Sequence, residues 1–220
     1  ISTQDLLDII KKLNIDESIS GILVQLPLPK QIDSSVILAA IDINKDVDGL
    51  SNNNLGALLK GEPNFIPATP LGVRELLQRN GVVIPGKNVV VVGRSTLVGK
   101  PLSALLSIKS DKGDATVTLA HSATTDLSSV TKTADILIVA TGLAEFIDDT
   151  MIKEGAVIID VGINRVDDKN NKNGYKLVGD VNFESVLSKA SMVTPVPGGV
   201  GPMTIAMVVS NTLRAAKLNS

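Results

Sequence analysis

The chain of 220 residues contains no cysteine and a single histidine, His121. Without cysteine there can be no disulfide and no thiolate metal ligand, and the redox compartment is left open. One histidine argues against a histidine-based metal site and against a Ser-His-Asp catalytic triad. No metal site is therefore predicted.

Aromatic side chains and excess positive charge are also scarce. The chain has three phenylalanines, one tyrosine and no tryptophan, and its formal net charge is −2 at pH 7. Binding of nucleic acid requires a basic face, usually with aromatic rings for stacking, so this class of partner is not expected. No apolar stretch reaches the length of a membrane span and no signal peptide is visible, so no membrane partner is expected either.

What the sequence does contain is an alternation of apolar runs with helical segments from residue 88 onward. Hydrophobic residues make up 44% of the chain, which is enough for a proper core. Continuous β-branched runs that alternate with helices predict a parallel sheet buried on both faces, hence an α/β fold. The predicted strands are 88–93, 115–121, 135–142, 156–162 and 191–195; the predicted helices are 98–108, 126–133, 148–153 and 182–189, with a polar loop at 167–174.

The pattern changes on either side of this region. A helix at 70–81, with Pro70 at N1 and Gly81 at C′, connects it to the preceding residues. The other predictions are an amphipathic helix after Ser2 and Thr3, a buried strand at 21–29 ended by prolines, a helix at 34–41 with Ser34 near its N-cap, a loop at 46–70 with a short helix at 54–60, and a final helix at 202–217.

The turn "VGRSTLVGKP" (92–101) resembles two phosphate-binding signatures. A P-loop requires four residues between its glycine and the Gly-Lys pair, followed by Ser or Thr. Here five residues separate Gly93 from Gly99-Lys100, and Pro101 follows, which disfavours a P-loop NTPase. A G-x-G-x-x-G dinucleotide turn suits the position between a strand and a helix better, although Ser95 replaces its second glycine and the last glycine comes one residue late.

Small and polar residues at the predicted strand ends favour a nucleotide site, because ligands of such sheets bind beyond the carboxyl ends of the strands. An NAD site usually has Asp or Glu after the second strand, but that strand ends in "AHSATT" (120–125). Arg94 and Ser122 can instead bind a 2′-phosphate, since a guanidinium forms charge-assisted bidentate hydrogen bonds. These residues predict NADP as the cofactor; the alternative for Arg94 is a surface salt bridge.

Nine segments of the chain carry a resemblance to one enzyme family. They are "GILVQLPLP", "DVDGL", "PATPLGV", "VVGRSTLVGKPLSALL", "ATVTLAHS", "ADILIVATG", "GAVIIDVGIN", "GDV" and "TPVPGGVGPMT", in this order. Over nearly its whole length the chain resembles the methylenetetrahydrofolate dehydrogenase/cyclohydrolase family. The resemblance implies NADP-dependent oxidation of 5,10-methylenetetrahydrofolate and hydrolysis of the methenyl product to 10-formyltetrahydrofolate, in one-carbon metabolism and purine biosynthesis. It also implies a homodimer and a cytoplasmic location, with a mitochondrial one left open.

The resemblance further implies how the α/β fold is divided. A Rossmann-type, parallel-sheet NADP-binding domain is expected at 70–198. The remainder of an α/β folate-binding, catalytic domain is expected at 1–69, and the C-terminal helix (199–220) is expected to pack back on it.

Site residues follow from the same resemblance. Asp48 of "DVDGL" is expected to accept hydrogen bonds from pterin N–H groups, with a plain turn as the alternative. Gln25 of "VQLP" is expected to hydrogen-bond the family's catalytic lysine; its alternative is a satisfied polar residue of a strand. The resemblance places Gln25, Leu26, Pro27, Asp48, Pro197, Gly198, Gly201 and Ile205 in the substrate site, and Thr69, Gly93, Arg94, Ser95, Val98, Ser122, Ile163 and Thr204 in the cofactor site.

The chain departs from the family at its start. The family carries a preceding segment with a Tyr-x-x-x-Lys pair, whose lysine is central to the cyclohydrolase step. This sequence begins at Ile1 and contains no equivalent pair. We therefore expect it to be part of a longer protein, and we expect these residues alone to bind NADP with no cyclohydrolase and little dehydrogenase activity. A regulatory nucleotide-binding fragment and an NAD-specific member of the family are the alternatives.

Overall fold

Seven strands occur in the computed structural model, which describes residues 1–169 and 171–218. They are β1 (Asn88–Val92), β2 (Thr116–Ala120), β3 (Ile136–Val139), β4 (Val157–Asp160), β5 (Asn164–Asp167), β6 (Tyr175–Val178) and β7 (Met192–Val193). Five of them form a parallel sheet in the order β2-β1-β3-β4-β7, and β5 and β6 form a separate antiparallel pair. The predicted α/β fold with a Rossmann-type parallel sheet is confirmed.

Eight α-helices accompany these strands within the described residues. They are α1 (Thr3–Ile15), α2 (Ser34–Ala39), α3 (Asn52–Leu59), α4 (Ala68–Arg79), α5 (Gly99–Ser107), α6 (Leu127–Thr131), α7 (Phe183–Val186) and α8 (Val200–Leu218), together with a 3₁₀ turn at Asp149–Met151. In the ranges that the structure describes, none of these helices combines the length and apolar character that a membrane span requires.

Strands β1 and β3 are buried on both faces at positions 89–92 and 136–139, which is why all of these positions are apolar. Val89 and Val91 of β1 face one side, where they meet side chains of α4 and α5 such as Leu77 and Leu102. Val90 and Val92 face the other side, where most of the neighbouring apolar side chains come from the part of the chain between α6 and β7. Alternation of side chains along a strand thus builds two cores, one on each face of the sheet.

Helix α8 returns along α4 and reaches the first part of the chain, as predicted. Its buried Asn211 donates hydrogen bonds from Nδ2 to the carbonyl oxygens of Val47 (2.9 Å) and Ile66 (3.0 Å). Gly72 of α4 lies against the backbone of Met203, where an added Cβ would stand only 3.2 Å from the carbonyl carbon. The close contact of the two helices therefore requires a residue without a side chain.

The prediction of a strand at 21–29 is wrong. Only Ile22 forms a bridge, to Asp46, and no ladder continues beyond it. Pro27 and Pro29 have no N–H to donate, and a strand requires a neighbour that completes its hydrogen bonds. An apolar sequence was therefore not sufficient to make this segment a strand.

Smaller corrections concern helix ends and the β5–β6 pair. Helix α4 starts two residues early, after Pro67, so that Pro70 occupies N3 rather than N1; Gly81 does follow the C-cap, with φ of 72°. The N-cap of α2 is Asp33, and Ser34, predicted to lie near the cap, follows it as the first residue of the helix. The polar loop predicted at 167–174 connects β5 and β6, which the sequence did not indicate because both strands are short and half exposed. Residue 170 of this loop and residues 219 and 220 of the predicted C-terminal segment lie outside the described residues.

We expect the substitution Asn211→Ala to destabilise the protein by about 1–3 kcal/mol, because it removes two hydrogen bonds and leaves interior carbonyl oxygens unpaired. Urea unfolding followed by circular dichroism measures this loss. The matched control is Thr212→Ala, since the exposed Thr212 hydroxyl donates to the Val208 carbonyl oxygen of its own helix. The control should cost less than about 0.5 kcal/mol; equal losses in both variants would contradict the role of Asn211.

Candidate functional site

A cavity of about 550 Å³ opens at the carboxyl ends of β1, β2 and β3, and we term it the sheet-edge cavity. Its walls come from the turns that follow these three strands, which adjoin because the strands are neighbours in the sheet. This is the edge at which sheets of this kind bind ligands. The cavity is lined by Val92, Gly93, Arg94, Ser95, His121, Ser122, Thr124, Leu127, Ala140, Thr141, Leu143 and Phe146.

The turn after β1 explains its glycines. Gly93 has φ of 122°, and an added Cβ would collide with the carbonyl oxygen of Ala140 on the neighbouring strand. A Cβ at Gly99 would collide with the carbonyl oxygen of Gly93, so α5 begins in contact with the strand end. Ser95, at the place of the second glycine, accepts a hydrogen bond on Oγ from the Val98 N–H (3.1 Å). The sequence departs from the G-x-G-x-x-G pattern, but the turn has the same feature that the glycines of this pattern provide, namely close contact between the strand end, the turn and the start of the helix.

Polar groups in the sheet-edge cavity suit a phosphate. Arg94 and Ser122 are both exposed at its wall. Among the described lining residues there is no carboxylate, and Arg94 is the only charged side chain. The lining therefore offers no carboxylate to accept a hydrogen bond from a ribose 2′-hydroxyl. It does offer the Arg94 guanidinium and the Ser122 hydroxyl, which can both bind a 2′-phosphate. The residues present therefore fit NADP.

A second cavity, of about 430 Å³, lies between the "DVDGL" turn, the start of α4 and the outer face of α8; we term it the helix-side cavity. Most of its wall is apolar, and its polar side chains are Gln25, Asp48, Thr69 and Thr204. The hydroxyls of Thr69 and Thr204 lie 3.1 Å apart and connect α4 to α8. The lining consists of Leu23, Val24, Gln25, Leu26, Asp48, Leu50, Pro67, Ala68, Thr69, Leu97, Thr204, Ile205, Val208 and Val209.

Asp48 is a half-buried carboxylate on the wall of the helix-side cavity. Burial, followed by repulsion from Asp46, raises the pKa of Asp48 to about 6. Among the described residues, no group donates a hydrogen bond to its side chain. A carboxylate that is desolvated and unpaired beside a cavity is a good acceptor for N–H groups of a ligand.

Asp46 holds the turn that presents Asp48. Its buried carboxylate accepts hydrogen bonds from the N–H groups of Gly49 (3.0 Å), Leu50 (3.2 Å) and Ser51 (2.8 Å), and from Asn54 Nδ2 (2.7 Å). The Asp48 carbonyl oxygen accepts from the N–H of Ala68, the first residue of α4. The turn is therefore fixed both to α3 and to α4.

A small third cavity, of about 260 Å³, follows the end of β4 and the start of α8; we term it the bridging cavity. Ile205 lines both this cavity and the helix-side cavity, so the two adjoin. Gly201 lies against Ile163 here, with 3.8 Å between an added Cβ and Cδ1. The Pro-Gly-rich segment 195–202 forms most of the remaining wall.

The three cavities divide the residues that the sequence singled out. The sheet-edge cavity contains Gly93, Arg94, Ser95 and Ser122; the helix-side cavity contains Gln25, Leu26, Asp48, Thr69, Thr204 and Ile205; the bridging cavity contains Ile163, Pro197, Gly198, Gly201 and Ile205. Pro27 and Val98 line none of them. Val98 caps α5 and packs against the core, Pro27 is exposed, and their roles stay predictions.

Two buried carboxylates that the sequence analysis did not single out hold the loops around β3 and β4. Asp180 accepts from the Thr141 N–H and hydroxyl, the Gly142 N–H (2.9 Å) and Asn164 Nδ2 (2.8 Å). Asp160 accepts from three N–H groups, including that of Asp180 (2.9 Å), and burial raises its pKa. "GDV" was visible in the sequence, but nothing local indicated that its aspartate reaches the turn after β3. In the part of the chain that the structure describes, no three His, Cys, Asp or Glu side chains are grouped closely enough to hold a metal ion.

Comparison with known proteins gives matches along most of the chain. A family model described as the NAD(P)-binding domain of tetrahydrofolate dehydrogenase/cyclohydrolase matches residues 67–220, and one described as the catalytic domain matches residues 1–48. The bifunctional protein FolD of Flavobacterium johnsoniae is 55% identical over 220 residues, which are 100% of this chain and 75% of that protein.

Solved structures agree with this result. The bifunctional FolD enzyme of Campylobacter jejuni is 47% identical, with a TM-score of 0.92 over 100% of this chain and 75% of that chain. The Trypanosoma brucei methylenetetrahydrofolate dehydrogenase-cyclohydrolase, whose structure is a complex with NADP and an inhibitor, is 40% identical, with a TM-score of 0.91 over 99% of this chain and 73% of that chain. The chain thus spans about three quarters of the length of these relatives.

The raised pKa of Asp48 predicts a pH dependence of stability. In the folded state Asp48 binds its proton up to about pH 6, whereas in the unfolded chain it releases the proton near pH 4. Between these values the folded state holds more protons, so the contribution of Asp48 to stability is lost as pH rises from about 4 to 6.

We therefore expect Asp48→Asn to gain about 1–2 kcal/mol of stability relative to the native sequence between pH 4 and pH 6.5, after allowance for solvent screening. Urea unfolding at a series of pH values measures this difference. Gln25→Asn, in the same cavity but without a titratable group, should show a difference that does not vary with pH. A flat profile for Asp48→Asn would show that the carboxylate is not desolvated.

Proposed function

The chain belongs to the tetrahydrofolate dehydrogenase/cyclohydrolase family, and we propose that it oxidises 5,10-methylenetetrahydrofolate with NADP and hydrolyses the methenyl product to 10-formyltetrahydrofolate. The observation that carries this proposal is the presence of two unlike cavities, one suited to a pterin and one suited to a phosphorylated nucleotide. A homodimer, a place in purine biosynthesis and a cytoplasmic location stay predictions.

Asp48 supports the binding of the pterin in the helix-side cavity. A pterin presents an amino group and a ring N–H on one edge, and a carboxylate can accept two parallel hydrogen bonds from such an edge. The apolar wall around Asp48 would cover the ring, while the carboxylate fixes its orientation. The lack of an internal partner for Asp48 leaves both of its oxygens free for this contact.

Arg94 and Ser122 support the binding of the 2′-phosphate of NADP in the sheet-edge cavity. NADP, when bound, supplies the hydride acceptor. The part of the protein is to hold the reacting carbons together and to exclude water. Thr69, Thr204 and Ile205 line the helix-side cavity, and Ile205 also lines the bridging cavity, which makes these residues candidates for lining the place of hydride transfer.

Gln25 also lines the helix-side cavity. Its side chain is exposed and its Nε2 donates to the carbonyl oxygen of Leu26 (3.0 Å), which leaves the amide oxygen and the second N–H for another partner. An interaction of Gln25 with the family's lysine stays a prediction. The expectation that these 220 residues bind NADP but have no cyclohydrolase and little dehydrogenase activity also stays a prediction. Assays of oxidation, hydrolysis and NADP binding on the same preparation test it.

The substrate site is tested by Asp48→Asn, which keeps the shape of the side chain but turns one acceptor into a donor. Folate binding measured by calorimetry should become about tenfold weaker or worse, as expected for the loss of a charged hydrogen bond. NADP binding by the same variant should be unchanged. Asp42→Asn is the control, because Asp42 is exposed and lies outside the cavity. Unchanged folate affinity would make Asp48 a turn residue only.

The cofactor site is tested by Arg94→Ala. The loss of a charged hydrogen bond should weaken NADP binding by about 1.5–3 kcal/mol. NAD affinity should hardly change, because NAD has no 2′-phosphate. Lys100→Ala is the matched control, since Lys100 is an exposed cation on α5 outside the cavity lining. Equal losses for NADP and NAD would reject the assignment of Arg94 to the 2′-phosphate.

A further inference from the structure

The "DVDGL" turn begins with the buried side chain of Asp46, both of whose oxygens accept hydrogen bonds. Oδ1 accepts from the N–H groups of Gly49 (3.0 Å) and Leu50 (3.2 Å). Oδ2 accepts from the Ser51 N–H (2.8 Å) and from Asn54 Nδ2 (2.7 Å). Hydrogen bonds of this kind favour the ionised form of a carboxylate, so a negative charge lies inside the turn.

No cation neutralises this charge. The neighbouring Lys45 does not contact it, because its Nζ donates to the carbonyl oxygens of Leu13 (2.9 Å) and Asp16 (2.7 Å) at the end of α1. Among the described residues, Asp46 forms no ion pair. The described lining of the helix-side cavity contains no titratable or charged side chain besides Asp48. Asp46 is therefore the charged neighbour that acts on Asp48.

The backbone of the turn is packed tightly between Asp46 and α4. Gly49 has φ of 70°, and an added Cβ would lie only 2.7 Å from the backbone nitrogen of Pro67. The Asp48 carbonyl oxygen accepts from the Ala68 N–H (3.3 Å). The place of Asp48 at the cavity wall thus depends on the shape of a turn whose N–H groups are bound by one carboxylate.

We propose that Asp46 is a positioning residue of the substrate site, which holds the Asp48 carboxylate toward the N–H edge of the pterin and whose negative charge couples substrate binding to the protonation of Asp48. This inference rests on the proposed function, because it requires a pterin bound to Asp48. Asp46 itself lies outside the cavity lining and acts only through Asp48.

The coupling has a definite sign. Burial, followed by repulsion from Asp46, raises the pKa of Asp48 to about 6. Removal of the Asp46 charge should lower this pKa, since it removes the second of these causes. Above pH 7 Asp48 is ionised with or without that charge, and only the lost positioning weakens binding. At pH 5 the native Asp48 is mostly protonated while that of the variant is more ionised, so the loss of affinity should be smaller.

A double-mutant cycle tests the proposal, with dissociation constants for tetrahydrofolate measured by calorimetry between pH 5 and pH 8. The proteins are the native sequence, Asp46→Asn, Asp48→Asn and the double variant. At pH 8 we expect Asp46→Asn to weaken binding about fivefold or more, within the range of couplings in one hydrogen-bond network. The loss should shrink at least twofold by pH 5, as estimated from the coupling of charge and proton binding. In the Asp48→Asn background, Asp46→Asn should cause no further loss.

Asn54→Ala provides a second cycle, which applies even where Asp46→Asn fails to fold. It removes one donor from Asp46 but keeps the charge. We expect a smaller loss of tetrahydrofolate affinity that does not vary with pH and that again disappears in the Asp48→Asn background. Asp42→Asn is the control for removal of an exposed negative charge and should leave binding unchanged. Protonation of the ligand is common to all proteins and cancels in each ratio of constants.

Three outcomes would overturn the proposal. They are unchanged affinity of Asp46→Asn at pH 8, a loss that stays constant from pH 8 to pH 5, and losses of equal size with and without Asp48 in either cycle. If Asp48→Asn binds tetrahydrofolate as tightly as the native sequence, the proposed substrate site fails instead, so the two failures are distinguishable. NADP binding and a cooperative urea transition show that each variant is folded.

Discussion

The loops that form the candidate site depend on buried carboxylates that accept hydrogen bonds from backbone N–H groups. Asp46 holds the turn before α3, while Asp160 and Asp180 hold the turns after β3 and β4. Among the described residues, none of the three forms an ion pair. A buried charge without a cation is tolerated only when several donors surround it, so each aspartate requires its loop to keep one shape.

The buried aspartates affect the sheet-edge cavity and the helix-side cavity in different ways. At the sheet edge, Asp180 fixes the turn that follows β3. Gly93 lies so close to Ala140 of this turn that an added Cβ would collide with the Ala140 carbonyl oxygen. On the other side, the Asp46 carboxylate accepts hydrogen bonds from three backbone N–H groups of its turn but adds a negative charge near Asp48. The same residue therefore gives the turn its shape and contributes to the raised pKa of its neighbour.

Helix α8 connects both sides. Its first turn lies beside the end of β4 and its middle faces the helix-side cavity, while Asn211 is bonded to Val47 and Ile66. A single element thus contributes Thr204 to the helix-side cavity and Ile205 to both of the adjoining cavities. Precise placement of two reactants requires this kind of support, because small errors in distance have large effects on rate.

The amino-acid sequence by itself determined the parallel sheet and the choice of nucleotide. Strand positions buried on both faces must be apolar, so β1 and β3 can be recognised in the sequence as uninterrupted apolar runs. The lack of an acidic residue after β2 can likewise be seen in the sequence without knowledge of the fold. Only the tertiary structure decided that 21–29 is not a strand, because a strand depends on a partner elsewhere in the chain. It also decided that Thr69 and Thr204 share a cavity with Asp48, and that Asp180 reaches Thr141. These contacts join residues far apart in sequence, and desolvation of Asp48 exists only once they have formed.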